Sequence, residues 1–470
     1  MPAALHTARI LLAVTPTIVS LLRDQRRWLW WGAPLVRSQA FHERRAARLV
    51  ARIAALGPTF VKLSQVFASR ADLIPEPYLT QLGTLTDQVP AVSWDQIEAI
   101  ITEAYGVPSQ KVFTTIDRRP VAAASLGQVH RARWNGHDVA VKVLRPGIEQ
   151  IVARDLRSAR AITGWTARRW PVPHVQGFAS LVEEFALRIG EEMDFRLEGE
   201  YATEVRANFA GNPRVVIPAV MHELTRQRVL VLEFIDGTRV DRLPQGGVKA
   251  ASLAGLVMEV YVQMMLVDGL FHADPHPGNL LLTADGRLVL LDFGMMVRVK
   301  PEIRLALIRT VFASIRRDAQ AVAAGFHEMG LVAPGADPAE IQRLAELLVT
   351  MAGARTTTAQ RLETMMADQV MRSLYDFPVI LPRDLVYFAR TAALIEGIGT
   401  RYDPYFNAVE AGTPLVMRMR GRIMKELGED AQPTLEEVAA VAGWALGQAW
   451  QGVRKWLRSG ILWRPSRWPG

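Results

Sequence analysis

The stretch FHADPHPGNLLLTADGRLVLLDFG, from Phe271 to Gly294, joins a short polar loop to two apolar runs. Asp274 and Asn279 lie five residues apart in the loop, and Asp292 follows Asp274 by eighteen residues, inside Asp-Phe-Gly. The apolar runs LLLT and LVLLDF flank the turn sequence ADGR, which predicts a strand, a turn and a second strand. We expect this hairpin to bring the loop and Asp292 to the same edge of a cleft.

This combination of residues is typical of phosphoryl-transfer sites of the protein-kinase type. Such sites use one Asp to orient the nucleophile, and an Asn five residues later and a downstream Asp to hold Mg²⁺. Asn279 and Asp292 are therefore candidate ligands of Mg²⁺ bridging the phosphates of ATP, and Asp274 is the candidate base or water-positioning group. His272 is interpreted as a brace for the loop, and His276, beside a proline, as structural rather than a metal ligand.

Lys142 lies in the apolar sequence VAVKV, which predicts a buried strand. A buried Lys is costly unless a charge meets it, and kinase-type sites pair it with nucleotide phosphates and a helix Glu; the alternative is a Lys that snorkels from a strand end. Asp194 and Glu198 are four residues apart and share a face of a predicted helix, while Glu192 points elsewhere. These acids form either a solvated face or, since Lys62 also needs a partner, two Lys–acid pairs.

A glycine-rich loop over the phosphates is missing, and an alanine-rich run at the start of a predicted hairpin takes its place. The hairpin reads VAAASLGQVHRARW, NGH and DVAVKVLRP, with an Asn-Gly turn. Alanines allow close approach of backbone N–H groups only partly and disfavour positive φ, so we expect an altered nucleotide preference. Glu233, near the end of a predicted strand over Arg228 to Phe234, is a further candidate. The candidate nucleotide-binding residues are Ala122, Ala123, Ala124, Ser125, Lys142, Glu198 and Glu233.

Composition limits the classes of function. The 470 residues, half of them apolar, predict two to three domains or one enlarged domain. The absence of Cys excludes disulfides, thiol catalysis and thiolate metal sites, and fits a reducing compartment. The net charge of +8 is spread along the chain without a basic stripe interleaved with aromatics, so no nucleic-acid partner is expected.

The two ends of the chain carry the composition of membrane-interface segments. The apolar run Ile10 to Leu22 is too short to span a bilayer and contains Pro16. Arginines next to it adjoin Trp28, Trp30 and Trp31, and the tail from Trp444 to Trp468 alternates Trp with Arg and Lys. Either these aromatics pack on the globular body or they contact lipid. With no A-x-A cleavage site, we expect a cytoplasmic protein, peripherally associated with a membrane.

The order of predicted elements is a helical preface, a small sheet with inserted helices and a larger helical half. We expect an α+β, two-lobed architecture with the nucleotide in the cleft between the lobes. The expected regions are 1–45, a basic and aromatic segment; 46–120, a helical extension; 121–237, the small lobe; 238–410, the helical lobe; and 411–470, a Trp- and Arg-rich tail.

Six segments, in this order, resemble the UbiB (AarF) family of atypical kinase-like proteins: GPTFVKLSQVFASRADLIP, AAASLGQVHRA, VAVKVLRPGI, EEMDFRLE, FHADPHPGN and LDFG. The resemblance runs from about Ala55 to Asn407. It implies a protein-kinase-like fold whose N-terminal helical extension packs over the active-site cleft. That extension carries a Lys-x-Gly-Gln motif, here Lys62 and Gln65, which covers the site where a protein substrate would bind.

The resemblance also implies specific pairings: Lys62 with Glu192 and Asp194, and Lys142 with Glu198. Two departures are present. Ser64 replaces the glycine of the motif, where a side chain either perturbs the helix or is harmless on its outer side. A tyrosine, Tyr201, stands where many members have Asn, which puts a helper contact near the acidic helix in doubt. The C-terminal transmembrane pair of some members is not expected here, so membrane contact would be peripheral.

The family resemblance implies ATP-dependent activity, chiefly ATP hydrolysis, that supports ubiquinone or related isoprenoid lipid metabolism at membranes. Our leading hypothesis is an Mg²⁺-dependent ATPase with ATP and Mg²⁺ as cofactors. Its expected partners are a quinone-type or isoprenoid lipid, a membrane surface and a biosynthetic protein complex, and the sequence is compatible with a homodimer. The alternatives are a true kinase of a protein or small molecule, which the covering helix disfavours for a protein, and a nonenzymatic nucleotide-binding scaffold.

Overall fold

A computed structural model describes most of the chain and divides it into two compact units. The first unit contains residues 1–243 and 274–296, and the second contains residues 244–273 and 297–470. The predicted membrane-contacting residues of 25–34, the predicted base Asp274 and the tail beyond residue 427 lie outside the described residues. The described residues are 3–24, 35, 37–67, 74, 77–85, 90–170, 173–244, 248–273, 275–332, 335–352, 383–402, 406 and 408–427.

A five-stranded antiparallel sheet forms the centre of the first unit, and β3 pairs with β1, β2 and β4, while β4 also pairs with β6. Asn135 and Gly136, with φ of 49° and 83°, form the predicted turn between β3 and β4. Lys142 lies opposite Val129 and Leu230 in the ladders. The strands are β1 (Thr115–Ile116), β2 (Ala122–Ala123), β3 (Gly127–Trp134), β4 (His137–Leu144) and β6 (Val229–Glu233).

The run VAAASLGQVHRARW forms two strands, and our prediction of a single strand was wrong. The alanine run β2 folds back on β3, with Ala123 opposite Gln128 and the Ala124 N–H donating to the Gly127 carbonyl at 2.8 Å. Gly127 sits against β4 so closely that a Cβ there would lie 2.7 Å from the Val143 carbonyl oxygen. A tight turn therefore separates the alanines from β3, and propensity along the strand does not reveal it.

The two faces of this sheet are covered by different helices. Because side chains alternate along a strand, Val141 and Val143 share one face of β4 with Val139, and Lys142 and Leu144 share the other. The valine face packs against α5 (Trp94–Tyr105). The opposite face, with Leu144 and Leu230, belongs to an apolar cluster that includes residues of several helices. Among them are α3 (Pro58–Phe67), α7 (Ile148–Arg169), α8 (Pro173–Glu192) and α9 (Phe195–Asn208).

The helical extension is held together by a buried arginine. Arg45, 3% exposed, donates to Asp24 at 2.6 Å, to Ser20 at 3.0 Å and to the Tyr78 hydroxyl. Arg37 donates to the same Asp24 carboxylate, so the network joins three helices. The helices of this region are α1 (Ala3–Asp24), α2 (Gln39–Ala54), α4 (Tyr78–Gly83) and α6 (Ser109–Val112).

A helix break separates the acidic residues that were predicted to share one helix. The single helix predicted to carry these acids is in fact two helices, α8, which ends at Glu192, and α9 (Phe195–Asn208). Asp194 is the N-cap of α9 and accepts from the Arg196 N–H at 3.1 Å. Our inference that Asp194 and Glu198 share a helix face was therefore wrong, because Asp satisfies free N–H groups at a helix start better than it continues a helix.

The two apolar runs on either side of ADGR fold, as predicted, into a hairpin within a second sheet of the first unit. Its strands lie in the order β5, β10, β9 and β7, and β9 and β10 are joined by the turn that contains Gly286, φ 85°. The hairpin brings the residues before β9 and after β10 to one end, where the Leu291 N–H donates to the Asn279 carbonyl at 3.0 Å. The strands are β5 (Val215–Val216), β7 (Thr238–Arg239), β9 (Leu280–Leu282) and β10 (Leu288–Leu290).

The second unit is largely helical in its described residues, as predicted. Its first helix, α10 (Val248–Val262), continues as a π-helix over Gln263–Asp268. A short strand, β8 (Leu270–His272), pairs with β11 (Met296–Arg298). No helix in the described part of the chain combines the length and apolar character needed to cross a bilayer. The remaining helices are α11 (Pro301–Arg316), α12 (Ala319–Glu328), α13 (Pro338–Ala352), Arg383–Tyr402 and Ala408–Leu427.

Candidate nucleotide-binding site

Lys142 on β4 is the centre of a charged cluster. Its Nζ donates to both carboxylate oxygens of Glu198 on α9, at 2.6 and 2.9 Å, and lies 3.5 Å from Asp292 Oδ1. The ammonium also lies 5.1 Å from the centre of the Phe195 ring, a cation–π distance. The structure therefore brings together Lys142, Glu198 and Asp292, as we predicted for a kinase-type site, and adds Phe195, which we did not single out in the sequence MDFRLE.

The electrostatics of this cluster favour an additional cation. Burial opposes the charge of Lys142, but Asp292 and Glu198 together raise the pKa of its ammonium. Burial raises the pKa of the Glu198 carboxyl to about 7, and Asp292 acts in the same direction against the attraction of Lys142. One ammonium thus faces two carboxyl groups. A divalent cation beside Asp292 would offset this excess of acidic groups.

Asn279 and Asp292 meet at the end of the β9–β10 hairpin. Asn279 Nδ2 donates to Asp292 Oδ2 at 3.1 Å, and the Gly294 N–H donates to Asp292 Oδ1 at 3.1 Å. His276 caps the turn before Asn279 by accepting from the Gly278 N–H at 3.0 Å, which agrees with the structural role predicted for it. Both carboxylate oxygens of Asp292 are therefore oriented by the hairpin end.

The donor set suits Mg²⁺ with phosphate as a co-ligand. Asn279 and Asp292 offer side-chain oxygens, the atoms that Mg²⁺ prefers, and Mg²⁺ commonly takes one or two protein ligands and completes its shell with phosphates and water. Within the described residues, no group of three or more His, Cys, Asp or Glu side chains could hold a metal without such help. The residues present thus fit a nucleotide-bound Mg²⁺.

The alanine-rich run forms the turn that faces the end of β4. Ala122 and Ala123 make up β2, and the turn runs from Ala124 through Ser125 into β3. Ser125 is 1% exposed, and its hydroxyl has no hydrogen-bond partner among the described atoms. Glu233, at the end of β6, accepts from the Ala219 N–H at 3.2 Å, so its carboxylate braces a neighbouring segment. Its assignment to nucleotide binding stays a prediction.

The extension contributes a second Lys–acid pair. Lys62 on α3 donates to Glu192 at 2.7 Å, with side-chain exposures of 17% and 15%. The predicted pairing of Lys62 with Asp194 is wrong, because Asp194 caps α9 and pairs with the Arg196 guanidinium at 2.6 Å. Gln65 donates to the Leu85 carbonyl at 3.3 Å. The extension is thus tied to the acidic end of α8.

Ser64 and Tyr201, the two departures from the family pattern, both lie within regular helices. Ser64 is 3% exposed, and its hydroxyl donates to the Phe60 carbonyl one turn earlier at 2.7 Å. The side chain therefore lies inside α3 packing, not on an outer side, and the helix continues past it. Tyr201 lies half-buried on α9.

One buried cation near the site was missed by sequence reasoning. Arg145 directly follows β4 and is 8% exposed. Its guanidinium donates to the Ala124 carbonyl at 2.8 Å. The signal was present in VKVLRPG, where a cation closes a buried strand, but the partners described for it are the backbone carbonyls of Ala124 and Pro90, which carry no side-chain signature.

Comparisons with known proteins identify relatives over most of the chain. Residues 84–325 match the model of the ABC1 atypical kinase-like domain. The uncharacterized protein sll1770 of Synechocystis sp. is 32% identical over 421 residues, which cover 86% of this chain and 72% of that protein. Protein ACTIVITY OF BC1 COMPLEX KINASE 7, chloroplastic, of Arabidopsis thaliana is 30% identical over 406 residues, which cover 85% of this chain and 58% of the plant protein.

A solved structure shares the fold. The complex of Rv3197 with erythromycin, from Mycobacterium tuberculosis, aligns with a TM-score of 0.57 and 25% identity, covering 77% of this chain and 93% of that chain. This match and the domain match confirm the predicted two-lobed, kinase-like α+β fold. The chain belongs to the ABC1 atypical kinase-like family, which confirms the resemblance to UbiB (AarF) proteins.

Proposed function

We propose that this protein binds ATP with Mg²⁺ and hydrolyses it in support of ubiquinone or other isoprenoid lipid metabolism at a membrane. The observation that carries the proposal is the cluster in which Lys142 contacts both Glu198 and Asp292 while Asn279 holds the other Asp292 oxygen. Family membership supports a kinase-like phosphoryl-transfer chemistry. The lipid role rests on the family resemblance.

Each residue has a distinct task in this proposal. Lys142, oriented by Glu198, would contact the nucleotide phosphates as a fixed ammonium. Asn279 and Asp292 would hold Mg²⁺, which neutralises charge on the phosphate oxygens when it is bound. Asp274 would orient a water molecule that attacks the terminal phosphorus; the bond to the ADP oxygen breaks, and the proton of the water passes to Asp274 or solvent.

Phosphate release by the purified full-length protein tests this proposal. Asp292→Asn should lower the rate of ATP hydrolysis roughly 100-fold, because one oxygen ligand of Mg²⁺ and its charge are lost. Asp285→Asn is the matched control, because Asp285 lies on the turn of the same hairpin with 58% of its side chain exposed. Equal rates for wild type and Asp292→Asn would refute the proposed chemistry.

A kinase reaction is the second candidate, and the extension bears on it. Lys62 pairs with Glu192, whose charge acts on Lys142, so α3 is anchored at the acidic end of α8 near Lys142. We propose that this helix disfavours a protein acceptor. With ATP labelled on the terminal phosphate, the label should accumulate as free phosphate; label on a protein or small molecule would favour the kinase.

Peripheral membrane contact is a separate part of the proposal. Support comes from α1, where Leu5, Leu12 and Ile18 are 59%, 74% and 48% exposed, a composition suited to a lipid interface. Trp165 and Trp170 at the end of α7 are 56% and 48% exposed, and Arg169 lies over the Trp170 ring at 5.2 Å. The partners that we propose at the membrane are an isoprenoid or quinone-type lipid and a membrane-bound biosynthetic complex.

Sedimentation with lipid vesicles tests the membrane proposal. The full-length protein should sediment with vesicles that contain anionic lipid, and the double variant Leu12→Gln with Ile18→Gln should sediment less. Arg118→Gln is a control, since it removes an exposed cation away from α1. Failure of wild type to sediment with either anionic or neutral vesicles would reject peripheral binding.

A further inference from the structure

Arg145 holds the alanine-rich turn from two directions. Its backbone N–H donates to the Leu126 carbonyl at 2.8 Å, which extends the β3–β4 ladder by one step. Its side-chain Nε donates to the Ala124 carbonyl, also at 2.8 Å. The carbonyls on both sides of Ser125 are therefore bound to one residue, and the shape of the turn depends on it.

The same guanidinium reaches the segment that leads into α5. Arg145 Nη2 donates to the Pro90 carbonyl at 2.8 Å. Two residues later, the Val92 N–H donates to the Gln128 side chain at 3.0 Å, and Gln128 lies opposite Ala123 in the β2–β3 pair. Residues 90–92 are thus bonded to β3 through Gln128 and, by way of Arg145, to the alanine-rich turn.

A buried chain of neutral groups completes the support. Gln128 Nε2 lies 2.9 Å from His130 Nε2, and His130 Nδ1 lies 2.7 Å from the Asp117 carbonyl oxygen. This geometry assigns the ring proton to Nδ1, which donates to Asp117, while Nε2 accepts from Gln128. Gln128 and His130 are 1% and 0% exposed, so the chain fixes the side chain that holds Val92.

The direction of the Arg145 side chain determines which way the turn presents its N–H groups. Strand alternation places Arg145 on the face of Val141 and Val143, opposite Lys142. In a trans peptide the C=O and N–H groups point to opposite sides. Because the Ala124 carbonyl is drawn to Arg145, the Ser125 N–H of the same peptide group is directed toward the side that carries Lys142. Backbone N–H groups arranged in this way bind anions.

We propose that Arg145 is a positioning residue for nucleotide phosphate: by holding the Ala124 carbonyl and the Pro90 carbonyl, it sets the alanine turn with the Ser125 N–H toward the phosphates. This inference rests on the proposed nucleotide binding. In ordinary phosphate loops, flexible glycines let the backbone N–H groups turn toward the phosphates. Here we assign that task to a buried arginine on the face of the sheet opposite Lys142. It also links the segment before α5 to the nucleotide turn.

The test measures binding of ATP, ADP and adenosine to full-length wild type, Arg145→Met and Arg145→Lys in the presence of Mg²⁺. Arg145→Met should weaken ATP and ADP binding roughly tenfold and leave adenosine binding unchanged, because adenosine has no phosphate to meet the turn. Arg145→Lys keeps the charge but loses the planar guanidinium that bonds two carbonyls. This variant should therefore also bind ATP several-fold more weakly than wild type. Arg133→Met is the matched control, since Arg133 lies on β3 with 59% of its side chain exposed.

Each outcome decides a different point. If wild type binds neither ATP nor ADP, the proposed function fails and takes this inference with it. If wild type binds ATP and both Arg145 variants bind it equally well, the role of Arg145 fails and the proposed function stands. Equal losses of affinity for ATP and for adenosine would show that the variant damages the whole binding site, and this result overturns the inference. If Arg145→Met does not fold, Arg145→Lys decides: a loss of ATP affinity with unchanged adenosine affinity supports the role of Arg145, and wild-type affinity for ATP overturns it.

Discussion

The two faces of β4 use buried polar and charged groups in opposite ways. On one face Lys142 pairs with the carboxylates of Glu198 and Asp292 and keeps 24% of its side chain exposed. On the other face Val141 is fully buried, and beyond the strand end Arg145 donates to backbone carbonyls. Charge pairs on the first face leave ionised groups available to a ligand, while bonds to backbone on the second face set the shape of a turn.

This difference shows how one strand can serve chemistry and architecture together. Alternation alone assigns Lys142 to one face and its neighbours to the other. Changes on the Lys142 face should therefore act on nucleotide turnover. Changes on the valine face should act on the free energy of unfolding or on the shape of the turn, with little effect on the chemical step.

Lys142→Met changes the charged face of β4. Among these variants it should have the largest effect on ATP turnover and on the free energy of unfolding. Turnover of ATP should fall roughly 100-fold, since the fixed ammonium next to the phosphates is lost. The free energy of unfolding should fall by about 3 kcal/mol, because Glu198 keeps its burial and loses its partner. Phosphate release and urea denaturation measure the two effects, with Arg133→Met as control. Wild-type turnover in this variant would contradict the assignment of the face.

Val141→Ala breaks the apolar face instead. Val141 is fully buried under α5, and removal of two methyl groups from such a site costs about 2 kcal/mol of unfolding free energy. The rate at saturating ATP should stay unchanged in the folded protein. Val121→Ala is the control, because Val121 is 58% exposed. A large loss of turnover without loss of stability would show that the two faces are not independent.

His130 sharpens the comparison through pH. Burial lowers the pKa of the His130 ring against the opposing effect of the Asp117 carbonyl. The unfolded chain therefore binds a proton near the ordinary pKa of His while the folded chain does not, so stability is lost as pH falls below about 6.5. From about pH 7.5 to about pH 5.5, wild type should lose about 1 kcal/mol more than His130→Leu.

Denaturant unfolding at several pH values measures this slope. His130→Leu should be less stable, because Gln128 Nε2 loses its acceptor, so the slope of stability with pH is the quantity to compare. His137→Leu, at an exposed residue next to the β3–β4 turn, should keep the wild-type slope. A wild-type slope in His130→Leu would show that another group is responsible for the acid sensitivity.

Lys62→Met should have the smallest effect on stability. The Lys62–Glu192 pair keeps 17% and 15% of its side chains exposed, so water still reaches both groups, and its loss should cost about 1 kcal/mol, less than the loss of the partner of the more deeply buried Glu198. The amide protons of α3 should exchange faster in this variant while global unfolding changes little. Arg196→Met, which breaks an exposed pair on α9, is the control. A loss above about 2 kcal/mol would place Lys62 among the residues that maintain the fold.

Much of the site could be predicted because its chemistry lies in short, spaced motifs. Asn279 and Asp292 met as predicted, since a four-residue turn between two apolar runs has few ways to fold other than a hairpin. The pairing of Lys142 with Glu198 agreed with the family resemblance. The break after Glu192 and the capping role of Asp194 were not predicted, because a local helical pattern did not show that Asp194 ends one helix and starts another.

The sequence by itself determined the kinase-like class, the β3–β4 hairpin and the identity of the charged residues, because these depend on contacts between near neighbours. Only the tertiary structure decided which acid meets which lysine, since the Lys62–Glu192 and Lys142–Asp292 contacts join residues 130 and 150 positions apart. It also decided that Arg145 serves the alanine turn. Backbone carbonyls are the same at every residue, so only the folded chain shows which of them a buried guanidinium binds.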